Sequence, residues 1–288
     1  MRIAAAIAMF ILAACAASAQ APLIIDAAKV PAYIASAHPV IVSVQTQIDP
    51  RPSDFIAGAI SLNQDDWTLD SRSETQLNDL AQWNALFGVK GIDGGRPVLV
   101  YDNGDLKFAS RVRYLLGRYG VEATLVNGGW PDLKARNLLL QFGPSPSVYV
   151  KANTHIVEPP IPIASRATVR AHLHEKSYTL IDVRTPAEYD GKDVLPGIVR
   201  PGHIPGAVNL PLNLLFSSPT TLMDPAALKA AFAAQHIDRG TTLIFYCQDG
   251  ARSSLGALAA VQAAFPYVRL YYLSYLDWQS DPNDPVDK

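Results

Sequence analysis

The segment Cys247-Gln248-Asp249-Gly250-Ala251-Arg252 follows the apolar run Thr241–Tyr246 and precedes Ser253–Phe265, whose apolar residues have helical spacing. A loop between a buried strand and a helix start can curl back and aim several backbone N–H groups at one point, and the helix adds the positive end of its dipole. Gly250 supplies the backbone freedom to close such a curve. A cysteine at its centre is favoured as the thiolate, a nucleophile, and the same donors would hold a persulfide anion once a second sulfur is attached. Arg252 can place a fixed positive charge at the rim. The alternative is a small buried hydrophobe at a strand end; the order strand, Cys-x-x-Gly-x-Arg-Ser, helix favours the reactive role.

The surrounding elements must place that loop. Val40–Val44, Pro97–Tyr101 and Ala123–Val126 read as buried strands. Ser73–Phe87 and Lys107–Arg118 read as helices, the latter stopped by Gly120. Five prolines between residues 144 and 164 suggest an extended linker. The plan then repeats. Tyr178–Val183, Thr241–Tyr246 and Arg269–Leu273 read as strands, and Asp224-Pro225 reads as an N-cap and first helical residue. Landmarks pair at nearly constant offset: Ser43 with Asp182 (139 residues), Asp102 with Cys247 (145), Gly58-Ala59 with Gly206-Ala207 and Trp130 with Trp278 (148 each). This is a duplicated α/β unit with mostly parallel sheets covered by helices on both faces. In such sheets sites form beyond the carboxyl ends of the strands, where Cys247 lies.

Composition narrows the classes. The 288 residues, 49% of them hydrophobic, suffice for two cores. Lys+Arg 24 against Asp+Glu 26 gives a net charge of −2 with no dense basic stretch, which argues against a nucleic-acid partner. With Cys15 and Cys247 the only cysteines, neither a disulfide framework nor a four-thiolate metal centre can form. His172 and His174 are two apart on an expected helix and do not share a face, so no metal site is expected. Residues 1–19 read as an export signal: Arg2, a short apolar run Ile3–Ala14, then Ala17-Ser18-Ala19. Leu12-Ala13-Ala14-Cys15 equally resembles a lipoprotein signal, in which case a lipid on Cys15 would be the one membrane tether. Either way the expected location is outside the cytoplasm, periplasmic.

Asp182-Val183-Arg184, Pro186-Ala187-Glu188-Tyr189, Arg200-Pro201-Gly202-His203-Ile204-Pro205-Gly206-Ala207, the Cys247 loop and Trp278 together resemble the rhodanese domain in order and spacing. The likeness is strong over residues 165–282 and weaker over the first half, which resembles the degenerate partner of tandem sulfurtransferases. It implies two tandem domains, residues 22–145 inactive and 165–282 catalytic, joined by the Pro-rich linker over 146–164; the polar, Pro-containing end from Asp281 to Lys288 reads as frayed, with 283–288 as the tail. It also implies a double displacement without cofactor. Cys247 would take a sulfane sulfur from a small anionic donor such as thiosulfate or 3-mercaptopyruvate and pass it to cyanide or a thiol. Gln248, Asp249, Gly250, Ala251 and Arg252 match the loop that holds the persulfide. Asp182 and Arg184 match a supporting Asp-x-Arg element, with Arg184 and Arg252 as candidate anion contacts. His203 is expected to shape its turn.

Gln248 and Asp249 depart from both common loop types, one basic and one small. Asp249 would weaken capture of an anion unless its carboxylate points outward. In the first half Asp102 replaces Cys247, Ser43 replaces Asp182 and Gln45 replaces Arg184, and a carboxylate cannot relay sulfur. Two alternatives stand beside the transferase. One is a non-catalytic sulfur carrier or binding module. The other is a cysteine-dependent phosphatase, disfavoured because Cys247 and Arg252 are separated by four residues where Cys-x-x-x-x-x-Arg needs five.

Overall fold

A computed structural model describes residues 21–46, 54–137, 140–142 and 149–288. The export segment, Cys15 included, lies outside the described residues. The first sheet has five parallel strands in the order β1-β6-β5-β2-β4, where β1 is Ile24–Asp26, β2 Val40–Gln45, β4 Ile60–Asn63, β5 Val98–Tyr101 and β6 Ala123–Asn127. A short antiparallel pair, β3 (Asp54–Ile56) with β7 (Leu140–Phe142), stands beside it. The second sheet is parallel, in the order β11-β10-β8-β9, with β8 Tyr178–Asp182, β9 Val208–Asn209, β10 Thr242–Tyr246 and β11 Val268–Leu270. Ile163 in the linker bridges in parallel to Leu270, as β1 pairs with β6 in the first sheet.

The helices are α1 (Val30–Ala37), α2 (Gln64–Leu69), α3 (Leu80–Gly88), α4 (Lys107–Arg118), α5 (Gly129–Ala135), α6 (Arg166–Ala171), α7 (Pro186–Tyr189), α8 (Pro225–Ala234), α9 (Ala251–Gln262) and α10 (Ser274–Trp278). α8 starts as its sequence implies, with the Asp224 carboxylate accepting from Ala227 N at 2.8 Å and Pro225 first in the helix.

The internal repeat extends to individual bonds. Tyr101 Oη accepts Ile56 N at 3.3 Å, and Tyr246 Oη accepts Ile204 N at 3.2 Å. Each is followed by a tight turn that needs a left-handed glycine, Gly58 (φ 77°) in one half and Gly206 (φ 75°) in the other.

Residue alternation then decides where Cys247 points. In β10, Leu243 and Phe245 join the core shared by the two halves, whereas Ile244 and Tyr246 join the outer core of the second half. Cys247 continues the first series and belongs to the shared core. β5 behaves alike: Val98 and Val100 face inward, Leu99 and Tyr101 outward. α4 and α9, the helices that follow the Asp102 and Cys247 loops, pack against each other, so the two loops are brought to one interface.

Two expectations are corrected. Ser73–Phe87 is not one helix: a 3-10 turn at Gln76–Asn78 is separated from α3 by Asp79, whose side chain caps α3 by accepting from Gln82 N at 3.0 Å. An N-capping carboxylate competes with helix continuation. The C-terminal tail is docked rather than frayed. Asp284 is fully buried, Trp278 Nε1 donates to Pro285 O at 2.9 Å, and His203 and Asp287 exchange backbone hydrogen bonds of 2.8 and 3.0 Å.

Candidate active site

Cys247 directly follows β10 and has no exposed surface. Its main chain is held on both sides, its N–H by Ser274 Oγ at 3.2 Å and its carbonyl by Tyr275 N at 3.0 Å. The loop curls so that Gly250 N donates to Cys247 Sγ at 3.2 Å, and Ser253 Oγ, one turn into α9, lies 3.5 Å from the sulfur. Both groups can donate to a thiolate. Gly250 makes this possible with φ 99°; a Cβ there would also stand 2.5 Å from Tyr272 O. The amide of Ala251 turns to the Asp249 carboxylate instead, at 3.4 Å.

Asp249 is the residue for which the sequence reading had no partner. Its Oδ1 lies 4.0 Å from Sγ and 2.8 Å from Nη2 of Arg111, which also donates to the Asp249 carbonyl at 2.7 Å. Arg111 sits in α4, in the other half of the chain, and is fully buried. Its second amino group donates to Gln64 Oε1 at 3.0 Å and to Thr68 Oγ1. Burial works to raise the Asp249 carboxyl pKa, but the charge and hydrogen bond of Arg111 outweigh it and hold the group below the usual carboxylate range. The Arg111 guanidinium is buried whereas the Asp249 side chain is 39% exposed, so the pair presents its negative end outward.

Arg252 makes a two-pronged pair with Glu188, Nη1–Oε2 2.6 Å and Nη2–Oε1 2.7 Å. Glu188 is fixed by its own helix start: Thr185 and Glu188 form a reciprocal capping box at α7, with Thr185 Oγ1 accepting from Glu188 N at 3.2 Å and Glu188 Oε2 accepting from Thr185 N at 3.0 Å. Burial pushes the Glu188 pKa up, but the Arg252 hydrogen bond and charge bring it below its ordinary value. Arg252 is partly exposed and lines a cleft of about 400 Å³ together with Lys107, Phe216 and Ser217. Lys107 is itself paired with Asp105 at 2.5 Å.

The remaining residues named from the sequence are structural in their contacts. Arg184 is buried, pairs with Asp182 (Nη2–Oδ2 2.6 Å), donates to Gly202 O at 2.8 Å and lies 4.3 Å from the Tyr275 ring centre. Its guanidinium is thus engaged with the Asp-x-Arg element itself. His203 stacks on Tyr189 at 3.6 Å and bonds Tyr189 O through Nδ1 at 3.0 Å. Gln248 reaches away from the sulfur, its Nε2 donating to Pro196 O at 3.1 Å.

Asp102 occupies the matching position in the first half. The amides of Gly104 (3.0 Å), Leu106 (3.1 Å) and Ala109 (3.0 Å) all donate to its carboxylate. The nest that could hold a sulfur anion is filled by the protein's own carboxylate. Burial, aided by the charge of Asp105, pushes its pKa up to about 6.

Sequence reasoning missed Arg111, Ser253 and Ser274, and it quoted Glu188 without a role. For Glu188 a local signal existed, the Thr-x-x-Glu spacing of a capping box. For Arg111 the signal is a charged residue at the centre of a helix that is otherwise apolar on the shared-core side; its partner lies 138 residues away.

Among the described residues no group of three or more His, Cys, Asp or Glu side chains could hold a metal ion, and no helix is long and apolar enough to cross a membrane.

Comparison with known proteins agrees with this architecture. A model of the rhodanese-like domain matches residues 165–281. The chain is 27% identical to "Putative thiosulfate sulfurtransferase SseB" of Mycobacterium tuberculosis, over 94% of this chain and 98% of that protein. It is 30% identical to "Putative thiosulfate sulfurtransferase 1" of Mycobacterium bovis, over 75% of this chain and 79% of that one. It is 29% identical to "Thiosulfate/3-mercaptopyruvate sulfurtransferase 2" of Arabidopsis thaliana, over 68% and 64%. Among solved structures, the anaerobic ergothioneine biosynthesis enzyme of Chlorobium limicola shares the fold, with a TM-score of 0.77 at 19% identity over 92% of this chain and 70% of that one. With two repeated parallel sheets and one cysteine loop at their interface, the chain belongs to the rhodanese family and is a rhodanese-type sulfurtransferase.

Proposed function

We propose that Cys247 is the sulfur-carrying nucleophile of this sulfurtransferase. The observation that carries the reading is the donor pair on its sulfur, Gly250 N at 3.2 Å and Ser253 Oγ at 3.5 Å. Both donors suit a thiolate and, one atom further out, a persulfide anion. With thiosulfate, the thiolate attacks the outer sulfur, the S–S bond of the donor breaks, and sulfite leaves with the bonding pair. With 3-mercaptopyruvate, the thiolate attacks the thiol sulfur, the C–S bond breaks, and the carbon leaves as the enolate of pyruvate, which takes up the proton. Either step yields Cys247–S–S⁻. Cyanide or a thiolate then attacks the outer sulfur and restores the Cys247 thiolate.

The charges favour a monoanionic donor over a dianion. Each cation at the loop and cleft is paired one to one with a carboxylate: Arg111 with Asp249, Arg252 with Glu188, Lys107 with Asp105. Asp249 turns the negative end of its pair toward an incoming molecule. A dianion such as thiosulfate meets repulsion without an unpaired counter-charge, whereas a monoanion such as mercaptopyruvate can lie along Arg252 in the 400 Å³ cleft.

In the first half, Asp102 fills its own nest, so residues 22–145 act as a wall and as the source of Arg111, not as a second sulfur carrier. The likeness of residues 1–19 to an export signal supports a periplasmic location. The N-terminal residue of the mature protein, and any lipid on Cys15, would test it.

The deciding experiment is intact-mass analysis after incubation with thiosulfate and, separately, with mercaptopyruvate. One added sulfur atom is expected, removed by cyanide and absent in Cys247→Ser. An unmodified wild-type protein with both donors would refute the reading. Loading without transfer to any small acceptor would make the protein a carrier.

A further inference from the structure

The cleft beside Arg252 is much larger than the smallest molecules a sulfurtransferase handles. Its volume of about 400 Å³ falls among sites for whole organic ligands, roughly 300–1,000 Å³. Cyanide or thiosulfate would leave most of it to water. Arg252 stands in the Cys247 loop itself. Burial opposes its charge, but the Glu188 hydrogen bond and the negative charge of Cys247 hold its pKa above the ordinary value, so the sulfur is a near neighbour of this part of the lining.

Another part of the lining is a hairpin of the second half. Phe216 and Leu222 form an antiparallel bridge, and Ser217 N donates to Thr221 O at 2.9 Å. The first half fixes this hairpin at two points. The Asn127 side chain bonds both main-chain groups of Leu222, accepting from its N–H at 2.8 Å and donating to its carbonyl at 3.0 Å. At the tip, Thr220 packs so closely on Gly104 that a Cβ there would stand 2.7 Å from Thr220 Cγ2. The hairpin is held from both halves, yet Leu212, Phe216 and Pro219 keep apolar surface in the cleft: the first two are half-buried and the third is exposed. Apolar side chains left in water along a fixed concave wall mark a ligand surface.

The charged residues of the lining add no free charge. Arg252 is matched by Glu188 and Lys107 by Asp105. A multiply charged molecule finds no unpaired partner there, whereas an apolar body can displace water from Phe216 and its neighbours.

We propose that this cleft selects the sulfur acceptor, a small organic thiol with an apolar body and at most one negative charge, and that Phe216 is the residue that grips it. This rests on Cys247 as the sulfur carrier and names the class of molecule that takes the sulfur. The thiol sulfur attacks the outer sulfur of Cys247–S–S⁻, and the S–S bond breaks. The Cys247 thiolate leaves with the bonding pair, and the thiol proton ends on the new persulfide, R–S–SH.

The test uses the full chain, loaded with mercaptopyruvate or thiosulfate. The acceptors are cyanide, 2-mercaptoethanol, 2-phenylethanethiol and mercaptosuccinate, and kcat/KM is measured for each. In a double displacement the acceptor kcat/KM reports the second half-reaction alone, so the donor step cancels. The value for 2-phenylethanethiol is expected to exceed that for 2-mercaptoethanol at least tenfold, with mercaptosuccinate below both. Phe216→Ala should lower the ratio of 2-phenylethanethiol to cyanide at least fivefold, mainly through KM, and Phe216→Leu should keep most of it. Should Phe216→Ala fail to fold, the wild-type ranking decides. A wild type that loads but treats the three thiols alike, or an unchanged ratio in Phe216→Ala, would overturn the proposal and leave Cys247 as the carrier. Absence of loading, read before any acceptor is added, would overturn both.

Discussion

Arg111 of the first half grips both the carboxylate and the main-chain carbonyl of Asp249 in the second, at 2.8 and 2.7 Å, and thereby ties an unreactive half to the loop around Cys247. This one side chain is anchored at its other end by Gln64 and Thr68, so the loop inherits the rigidity of α2 and α4.

Two consequences follow from that clasp. Arg111→Met leaves the Asp249 main-chain carbonyl and Gln64 Oε1 without their donor and frees the partly exposed Asp249 carboxylate, and is expected to cost about 1–3 kcal/mol with a matching loss of sulfur loading. Asp249→Asn removes the outward negative charge. It is expected to shift the ratio of kcat/KM for thiosulfate over mercaptopyruvate toward thiosulfate by about tenfold, since roughly 1.4 kcal/mol is a factor of ten. In the wild type the thiosulfate kcat/KM should rise with ionic strength as repulsion is screened. A fall with salt would show that attraction governs instead.

Gly250→Ala tests the curl of the loop. The added Cβ would meet Tyr272 O at 2.5 Å from a backbone with φ 99°. The strain is of order 1–3 kcal/mol and must be relieved by moving the amide that faces the sulfur. Sulfur loading measured by mass should therefore fall far more than the thermal midpoint does. Equal losses in both would mean the amide is not the group that matters.

The Asp102 nest predicts a pH signature. Its folded pKa is about 6 against 3.8 in the unfolded chain, so the folded state holds the proton more tightly. The contribution is fully present below about 3.8 and is lost as pH rises through 6. Its size is about 3 kcal/mol, from 1.36 kcal/mol per pKa unit. Glu188 and Asp249 have the opposite sign: their lowered pKa values stabilise above the ordinary carboxylate range and stop doing so in stronger acid. Denaturant unfolding between pH 4 and 6 should show a downward component in the wild type that Asp102→Asn lacks.

Deleting Asp284–Lys288 tests the docked tail. It would leave the Trp278 indole N–H and the His203 amide without acceptors and remove the Asp284 carboxylate from Arg170. A loss of at least about 2 kcal/mol is expected, read as a lower denaturation midpoint. An unchanged midpoint would show that these bonds contribute nothing.

Much of this architecture was legible in the chain because it rests on local, periodic signals. Apolar runs of four to six residues marked β2, β5, β8 and β10, and the constant offset between Ser43–Asp182 and Asp102–Cys247 marked the repeat. β1 and β9 were not read, being three and two residues long, too short to show a period. Within the site, the strand end, the Gly250 turn and the helix start followed from residue types at short spacing, as did the loss of a nucleophile at Asp102.

What the sequence determined by itself was the position of one thiol at a strand end and the backbone freedom to wrap a loop around it, since both depend on neighbours within a few residues. Only the tertiary structure decided which charges remain to act there. Arg252 is taken up by Glu188, 64 residues away, and Asp249 by an arginine 138 residues away. The first joins two elements of one half and the second crosses the interface between α4 and the Cys247 loop, and contacts between distant segments leave no periodic trace in the chain.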